Sequence, residues 1–279
     1  MREKVYICLM MKQFLLSIIT VFSLVSCTPS DEGVAITAHR GFWDCEAAGH
    51  SENSLASLQA AQEAGFWGSE FDVHLTGDGV VVVNHDATFH GKKIHSTPLD
   101  SLLTDRLPNG ETMPTLEAYL AQGKAAKQTV LVFELKQHET QEQEDLLVER
   151  SLEALRRHRL LHPDRVIFIS FSRHICQELA ARLPKFMVQY LNGDSTPAEL
   201  HAEGILGVDY HYSVFDAHPD WVREAHDLGM AVNAWTVNAP EDIRRMLDLG
   251  VDCITTNDPL LVRSLLEADP LLHERKKRK

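Results

Sequence analysis

Apolar runs of strand length alternate with helix-forming segments along nearly the whole chain, and this alternation constrains the fold more than any other feature. The strand candidates are 34–38, 69–74, 80–84, 129–135, 166–171, 187–190, 206–210, 231–236 and 252–256. Helical periodicity and good helix formers occupy 54–64, 115–121, 143–158, 174–182, 219–228, 240–249 and 260–267. Gly65, Gly229 and Gly250 each follow the last residue of a helix candidate, where a left-handed cap favours glycine. Such alternation implies a parallel sheet, because parallel neighbours need a crossover long enough to hold a helix. The expected fold is α/β: a single-domain (β/α)8 TIM barrel with a short insertion after the His85-Asp86 strand. Nine strand candidates for eight barrel positions leave one that is irregular or lies outside the barrel. Thr76-Gly77-Asp78-Gly79 joins two of them with no room for a helix, so it reads either as a tight hairpin or as an extended crossover.

The length of 279 residues suits one such barrel. With 44% apolar and 24% charged residues, the chain is neither disordered nor a multi-span membrane protein. A formal net charge of −13 argues against nucleic acid as a partner, since that needs a basic field. Both ends stand apart from the repeat. Lys12 precedes an apolar run from Phe14 to Val25, too short to span a bilayer comfortably but suited to a signal-peptide core. The run ends in Leu24-Val25-Ser26-Cys27, which resembles a bacterial lipobox, in which the Cys is lipidated. The expected organisation is a lipoprotein signal peptide over 1–26, a linker over 27–33, the barrel over 34–269 and a basic tail over 270–279. An exported, membrane-anchored lipoprotein follows, held through lipid on Cys27. Cys8 falls within the signal segment, and Cys45, Cys176 and Cys253 form no C-x-x-C pair, so no zinc ribbon is indicated. Cys253 reads as core, and a Cys45–Cys176 bridge is open to a chain outside the cytoplasm.

Polar residues gather where apolar runs end. His39-Arg40-Gly41 follows the first run, Glu70 and Asp72 lie in the second, His85-Asp86 follows the third, and Glu134 and Lys136 close the fourth. The C-terminal ends of barrel strands face the mouth, where barrel enzymes place their sites. A spacing of two puts Glu70 and Asp72 on one face of a strand, and Glu134 and Lys136 likewise. Three carboxylates converging there repel one another. One divalent cation, Ca2+ or Mg2+, would relieve the repulsion through oxygen ligands. An ion-pair network through Lys136 and Arg40 answers the same charges without a metal. His39 and His85 are candidate general acid and base. No G-x-S-x-G, P-loop or G-x-G-x-x-G occurs, which argues against acyl-enzyme, Walker-type and Rossmann chemistry.

The ordered set His39-Arg40-Gly41, Glu52-Asn53-Ser54, Glu70-Phe71-Asp72-Val73, Leu75-Thr76 with Asp78-Gly79, His85-Asp86, Glu134-Leu135-Lys136, Ser170-Phe171, Trp235-Thr236-Val237-Asn238 and Thr255-Thr256-Asn257-Asp258-Pro259 resembles the glycerophosphodiester phosphodiesterase family. The resemblance implies a TIM barrel and metal-dependent hydrolysis of glycerophosphodiesters to glycerol 3-phosphate and an alcohol. It implies Glu70, Asp72 and Glu134 as metal ligands and His39 and His85 as the acid/base pair. Arg40 and Lys136 match phosphate-contacting positions, Glu52 and Asn53 a polar pair that shapes the site, and Trp235 a pocket-lining aromatic. The chain departs from the family at Ser51, where Pro is usual, and lacks an Arg shortly after His85-Asp86. A related barrel phospholipase and a non-catalytic phosphodiester-binding lipoprotein are the competing expectations.

Overall fold

The strand Val130–Leu135 shows how the sequence builds the molecule. Val130 and Val132 point into the barrel interior, whereas Leu131, Phe133 and Leu135 join the large core between strands and helices. Burial on both faces is what a parallel strand covered by helices requires. The computed structural model describes residues 33–269. The signal segment, Cys27, most of the linker and the basic tail lie outside the described residues. Among the described residues, no helix is long and apolar enough to cross a membrane.

The strands in chain order are β1 (Ala35–Ala38), β2 (Gly68–Leu75), β3 (Val81–Val83), β4 (Thr88–Phe89), β5 (Lys92–Lys93), β6 (Val130–Leu135), β7 (Val166–Ser170), β8 (Val188–Tyr190), β9 (Gly207–His211), β10 (Ala231–Trp235) and β11 (Cys253–Thr256). Eight of them, β1, β2 and β6 to β11, pair in parallel and close into a barrel. Closure is made by β1, which pairs with β11 from Ala35↔Cys253 to Ala38↔Thr256 and with β2 at Thr37↔Gly68. The helices are α1 (Leu55–Glu63), α2 (Leu99–Leu102), α3 (Leu116–Gly123), α4 (Gln141–His158), α5 (Arg173–Arg182), α6 (Pro197–Ala202), α7 (Tyr212–Ala217), α8 (Asp220–Asp227), α9 (Pro240–Leu249) and α10 (Pro259–Ala268). Their ends follow capping chemistry. In α4, Thr140 and Gln143 form a reciprocal capping box, and α9 opens on Pro240 and ends at Gly250 in the left-handed conformation.

The strand candidate outside the barrel is β3. It pairs antiparallel with the second half of β2, Val73↔Val83 and Leu75↔Val81, so 76–79 is a hairpin and not a crossover. Thr76 Oγ1 donates to Asp78 Oδ1 at 2.6 Å and accepts from the Val80 N–H at 2.9 Å, which fixes the turn. The hairpin carries the chain out and back, until the Asn84 N–H donates to the Asp72 carbonyl at 3.0 Å. His85 therefore follows an outer strand and not a barrel strand, a correction to the strand-end reading, yet it returns to the barrel mouth. The insertion after it has a small core of its own, formed by Val82, Phe89, Ile94, Leu102, Leu107 and Met113. Cys253 is buried as expected, and the open Cys45–Cys176 bridge is not formed: both are free thiols. Cys176 is buried on α5 and faces backbone carbonyls, while Cys45 donates to the Phe42 carbonyl.

The turn after β1 depends on glycine. Gly41 has a φ of 79°, and a Cβ there would lie 2.4 Å from Ser57 Oγ and 2.7 Å from the Ser57 backbone carbon. Gly41→Ala is expected to destabilise the protein by about 2 kcal/mol, the sum of a left-handed penalty and the clash. Thermal unfolding should show a fall in melting temperature of about 4–8 °C for a domain of this size. An unchanged melt would show that the turn relaxes freely.

Candidate active site

The turn that follows β1 places His39 and Arg40 at the mouth. Arg40 itself adopts a φ of 55°, an unusual backbone held by its contacts. Its N–H donates to Glu70 Oε2 at 2.7 Å, and its Nη1 donates to Glu52 Oε2 at 2.7 Å. Its Nε is buried with no hydrogen-bond partner. His39 Nδ1 lies 2.7 Å from Asn257 Oδ1. An amide oxygen only accepts, so Nδ1 carries the proton and Nε2 keeps its lone pair, 4.0 Å from Glu70 Oε2. Burial, and then the Arg40 charge, lowers the His39 imidazolium to about 4, so the ring is neutral at pH 7.

Glu70 and Asp72 share the inner face of β2, and register pairs Asp72 with Glu134 on β6. All three are buried, and one oxygen from each lies within 4.8 Å of the others. Asn53 holds Asp72 in place. Its Nδ2 donates to Asp72 Oδ2 at 2.8 Å, and its Oδ1 accepts from the Asp72 N–H at 3.1 Å. Lys136 Nζ sits 2.6 Å from both Asp72 Oδ1 and Glu134 Oε1. Both are close ion pairs, whereas Glu70 Oε1 is buried with no hydrogen-bond partner.

The charges are unbalanced. Burial, followed by Asp72 and Glu134, pushes the Glu70 acid well above the usual carboxylate range. Burial and Asp72 push Glu134 up to about 8. Burial works against the ionised form of Asp72 too, but the Lys136 ammonium holds it below its ordinary value. Lys136 in turn stays charged against its burial because Asp72 and Glu134 flank it. Three carboxylates facing one ammonium leave a net negative deficit. Three buried carboxylates with one oxygen each within 4.8 Å of the others, and with Glu70 Oε1 unpartnered, are hard ligands that fit a divalent cation of the Ca2+ or Mg2+ type. The ion-pair and metal alternatives thus coexist: Lys136 and Arg40 both make ion pairs, and the triad still offers ligand oxygens.

His85 stands at the rim, its side chain 35% exposed against 16% for His39. Its Nδ1 is 2.8 Å from Asp86 Oδ1, and its carbonyl accepts from His74 Nε2 at 3.1 Å. Trp235 anchors its indole N–H on the Asp209 carbonyl at 2.8 Å and meets Phe171 edge to face. His39, Arg40, Glu70, His85, Glu134, Lys136 and Trp235 all line one cavity. Asp72 and Asn53 lie directly behind it, and Glu52 joins through Arg40. Every residue singled out in the described sequence is therefore brought to one place. Asn257 and Phe171 belong to the resembling set, which gave them no role; Asn257 orients His39 and Phe171 lines the cavity. Asp209 also lines the cavity and was missed, with no sequence signal that separates it from ordinary strand residues.

Residues 39–261 match the glycerophosphoryl diester phosphodiesterase family. A crystal structure of a glycerophosphodiester phosphodiesterase from Parabacteroides distasonis is similar with a TM-score of 0.82 and 44% identity, covering 85% of this chain and 98% of that one. A phosphodiesterase from Oleispira antarctica, solved in complex with the product sn-glycerol-3-phosphate, is 26% identical with a TM-score of 0.72, covering 84% of this chain and 97% of that one. The glycerophosphodiester phosphodiesterase of Caldanaerobacter subterraneus subsp. tengcongensis is 27% identical over 251 residues, which span 80% of this chain and 94% of that protein. The barrel, the clustered carboxylates and these matches lead to one conclusion: the chain belongs to the glycerophosphoryl diester phosphodiesterase family, an enzyme of the phosphodiester hydrolase class.

Proposed function

We propose that the protein hydrolyses glycerophosphodiesters to glycerol 3-phosphate and an alcohol, with His39 and His85 as the acid/base pair and one divalent cation on Glu70, Asp72 and Glu134. The observation that carries this reading is a buried triad of carboxylates, two of them lining one cavity together with two cationic side chains and two imidazoles. A cation bound by the triad supplies charge neutralisation and polarisation of phosphate oxygens. The Arg40 guanidinium and the Lys136 ammonium, which both line the cavity, bind the remaining anionic oxygens. Glu52 accepts from Arg40 Nη1 and holds the guanidinium at the cavity wall.

The two imidazoles divide the proton transfers by position. His39 is neutral and fixed by Asn257, so its Nε2 accepts the proton of the substrate's vicinal glycerol hydroxyl. That hydroxyl oxygen attacks phosphorus and gives a cyclic phosphate. His85, at the rim, delivers a proton to the departing alcohol, its ring oriented by Asp86. In the second step the roles reverse. His85 takes a proton from water, and His39 returns one to the glycerol oxygen.

His39→Ala and His85→Ala are each expected to lower glycerol 3-phosphate release from glycerophosphocholine by about 10²–10⁴-fold. Both variants should melt as the wild type does. Full activity in either would remove that residue from the mechanism. A wild type that cleaves only intact phospholipid would turn the reading toward a phospholipase. One that binds glycerophosphodiesters without cleaving them would make it a binding protein.

The reading extends to location. The apolar run closing at Leu24-Val25-Ser26-Cys27 supports export and lipidation of Cys27, placing the barrel at a membrane surface through a lipid anchor. Cys27→Ser should leave an unprocessed precursor that takes up no fatty-acid label. Normal labelling of that variant would refute the anchor.

A further inference from the structure

Asp209 is the one acid of the catalytic cavity to which the chemistry above gives no task. It lies on β9, which stands opposite β2 in the circuit of barrel strands. Its neighbours Val208 and Tyr210 belong to the outer core, so its side chain faces the barrel interior. There it lines the same cavity as Glu70, Glu134, His39 and His85. Asp209 is only 1% exposed, and its Oδ1 has no hydrogen-bond partner. Glu70 Oε1 is in the same condition, buried and unpartnered on that cavity.

A buried oxygen left without a partner is costly, and such atoms call for an explanation. Burial pushes the Asp209 acid up to about 8, opposed by a hydrogen bond from Asn233, its cross-strand pair. At neutral pH the group is therefore an uncharged acid, able to donate one hydrogen bond and accept another. That is the chemistry of a hydroxyl partner. Thr255, whose Oγ1 accepts from Asn233 Nδ2 at 3.2 Å, adds a second hydroxyl-compatible group to the cavity wall. The location decides which end of the substrate meets it. The departing alcohol must leave past half-exposed His85 at the rim. Asp209 is enclosed beneath Trp235, whose indole is fixed to the Asp209 carbonyl.

We propose that Asp209 recognises the terminal glycerol hydroxyl, the one that takes no part in bond making, and so selects glycerol over deoxy alcohols on the phosphate. The inference rests on the phosphodiesterase reading. Its test uses two substrates: sn-glycero-3-phosphocholine and the analogue lacking the terminal hydroxyl, which keeps the vicinal one. Wild type should prefer the first in kcat/KM. Asp209→Leu should lower kcat/KM on the first by about 10- to 100-fold, the worth of a buried hydrogen bond, and leave the analogue unchanged. Asp209→Asn keeps a donor and an acceptor and should restore most of the loss. Asp209→Leu should also melt close to the wild-type temperature, since loss of the Asn233 hydrogen bond is offset by removal of the unpartnered Oδ1 and Asn233 Nδ2 keeps Thr255 Oγ1 as an acceptor.

Equal loss on both substrates would overturn the proposal and leave a structural role. Loss that follows the charge of the leaving alcohol instead would also overturn it. A wild type that does not distinguish the two substrates would overturn it with no variant needed. A wild type that releases no phosphorylated product from either diester would overturn the phosphodiesterase reading, and this proposal with it.

Discussion

Glu70, Asp72 and Glu134 place three carboxylates inside a barrel, away from bulk water, with one oxygen from each within 4.8 Å of the others. In a low-dielectric interior such charges cannot all stay ionised without compensation. Lys136 supplies one positive charge, at 2.6 Å from two of them. The rest of the site is arranged around the remaining deficit. Arg40 directs its backbone N–H to Glu70 and keeps its guanidinium near the mouth. Asn53 fixes Asp72 from behind, so the carboxylate cannot turn away from its neighbours.

The scaffold meets this demand through register and two departures from simple strand–helix alternation. Pairing of Asp72 with Glu134 across β2 and β6 brings the carboxylates together with no help from a loop. The β2–β3 hairpin then sends the chain outward and back, landing His85 beside the same cluster. The turn at Gly41 lets Arg40 and Ser57 approach closely, and Ser57 Oγ donates to the Arg40 carbonyl at 3.1 Å. Rigid strands hold the three carboxylates and short connections hold the two imidazoles. This division suits a site in which charge positions must be fixed before the substrate arrives.

Most of this arrangement was legible in the sequence, because barrel strands are continuous apolar runs and long helices carry a clear period. Pro240–Leu249 fell where periodicity and caps placed it. The short helices Pro197–Ala202 and Tyr212–Ala217 did not, since six residues hold too few turns for a period to show. The path of 76–79 was ambiguous because the side chain of Thr76 and the left-handed Gly79 settle it, not hydropathy. Within the site, spacing gave the paired carboxylates, and the family resemblance gave the roles of Glu52, Asn53 and Trp235. Asn257 stood in the resembling set with no role attached, and Asp209 escaped both. Each acts through a partner far away in the chain, and strand register brings those partners close. The Cys45–Cys176 bridge failed for the same reason in reverse, since spacing said nothing of where the thiols point.

The central claim is that the carboxylate triad is a cation site on which turnover depends. Isothermal titration of chelator-treated protein with Ca2+ or Mg2+, read beside phosphodiesterase activity, tests it most directly. The account predicts one cation bound per chain, activity that returns with the titration, and loss of both in Glu134→Gln. Full activity after exhaustive chelation, with no metal by elemental analysis and no heat of binding, would contradict it.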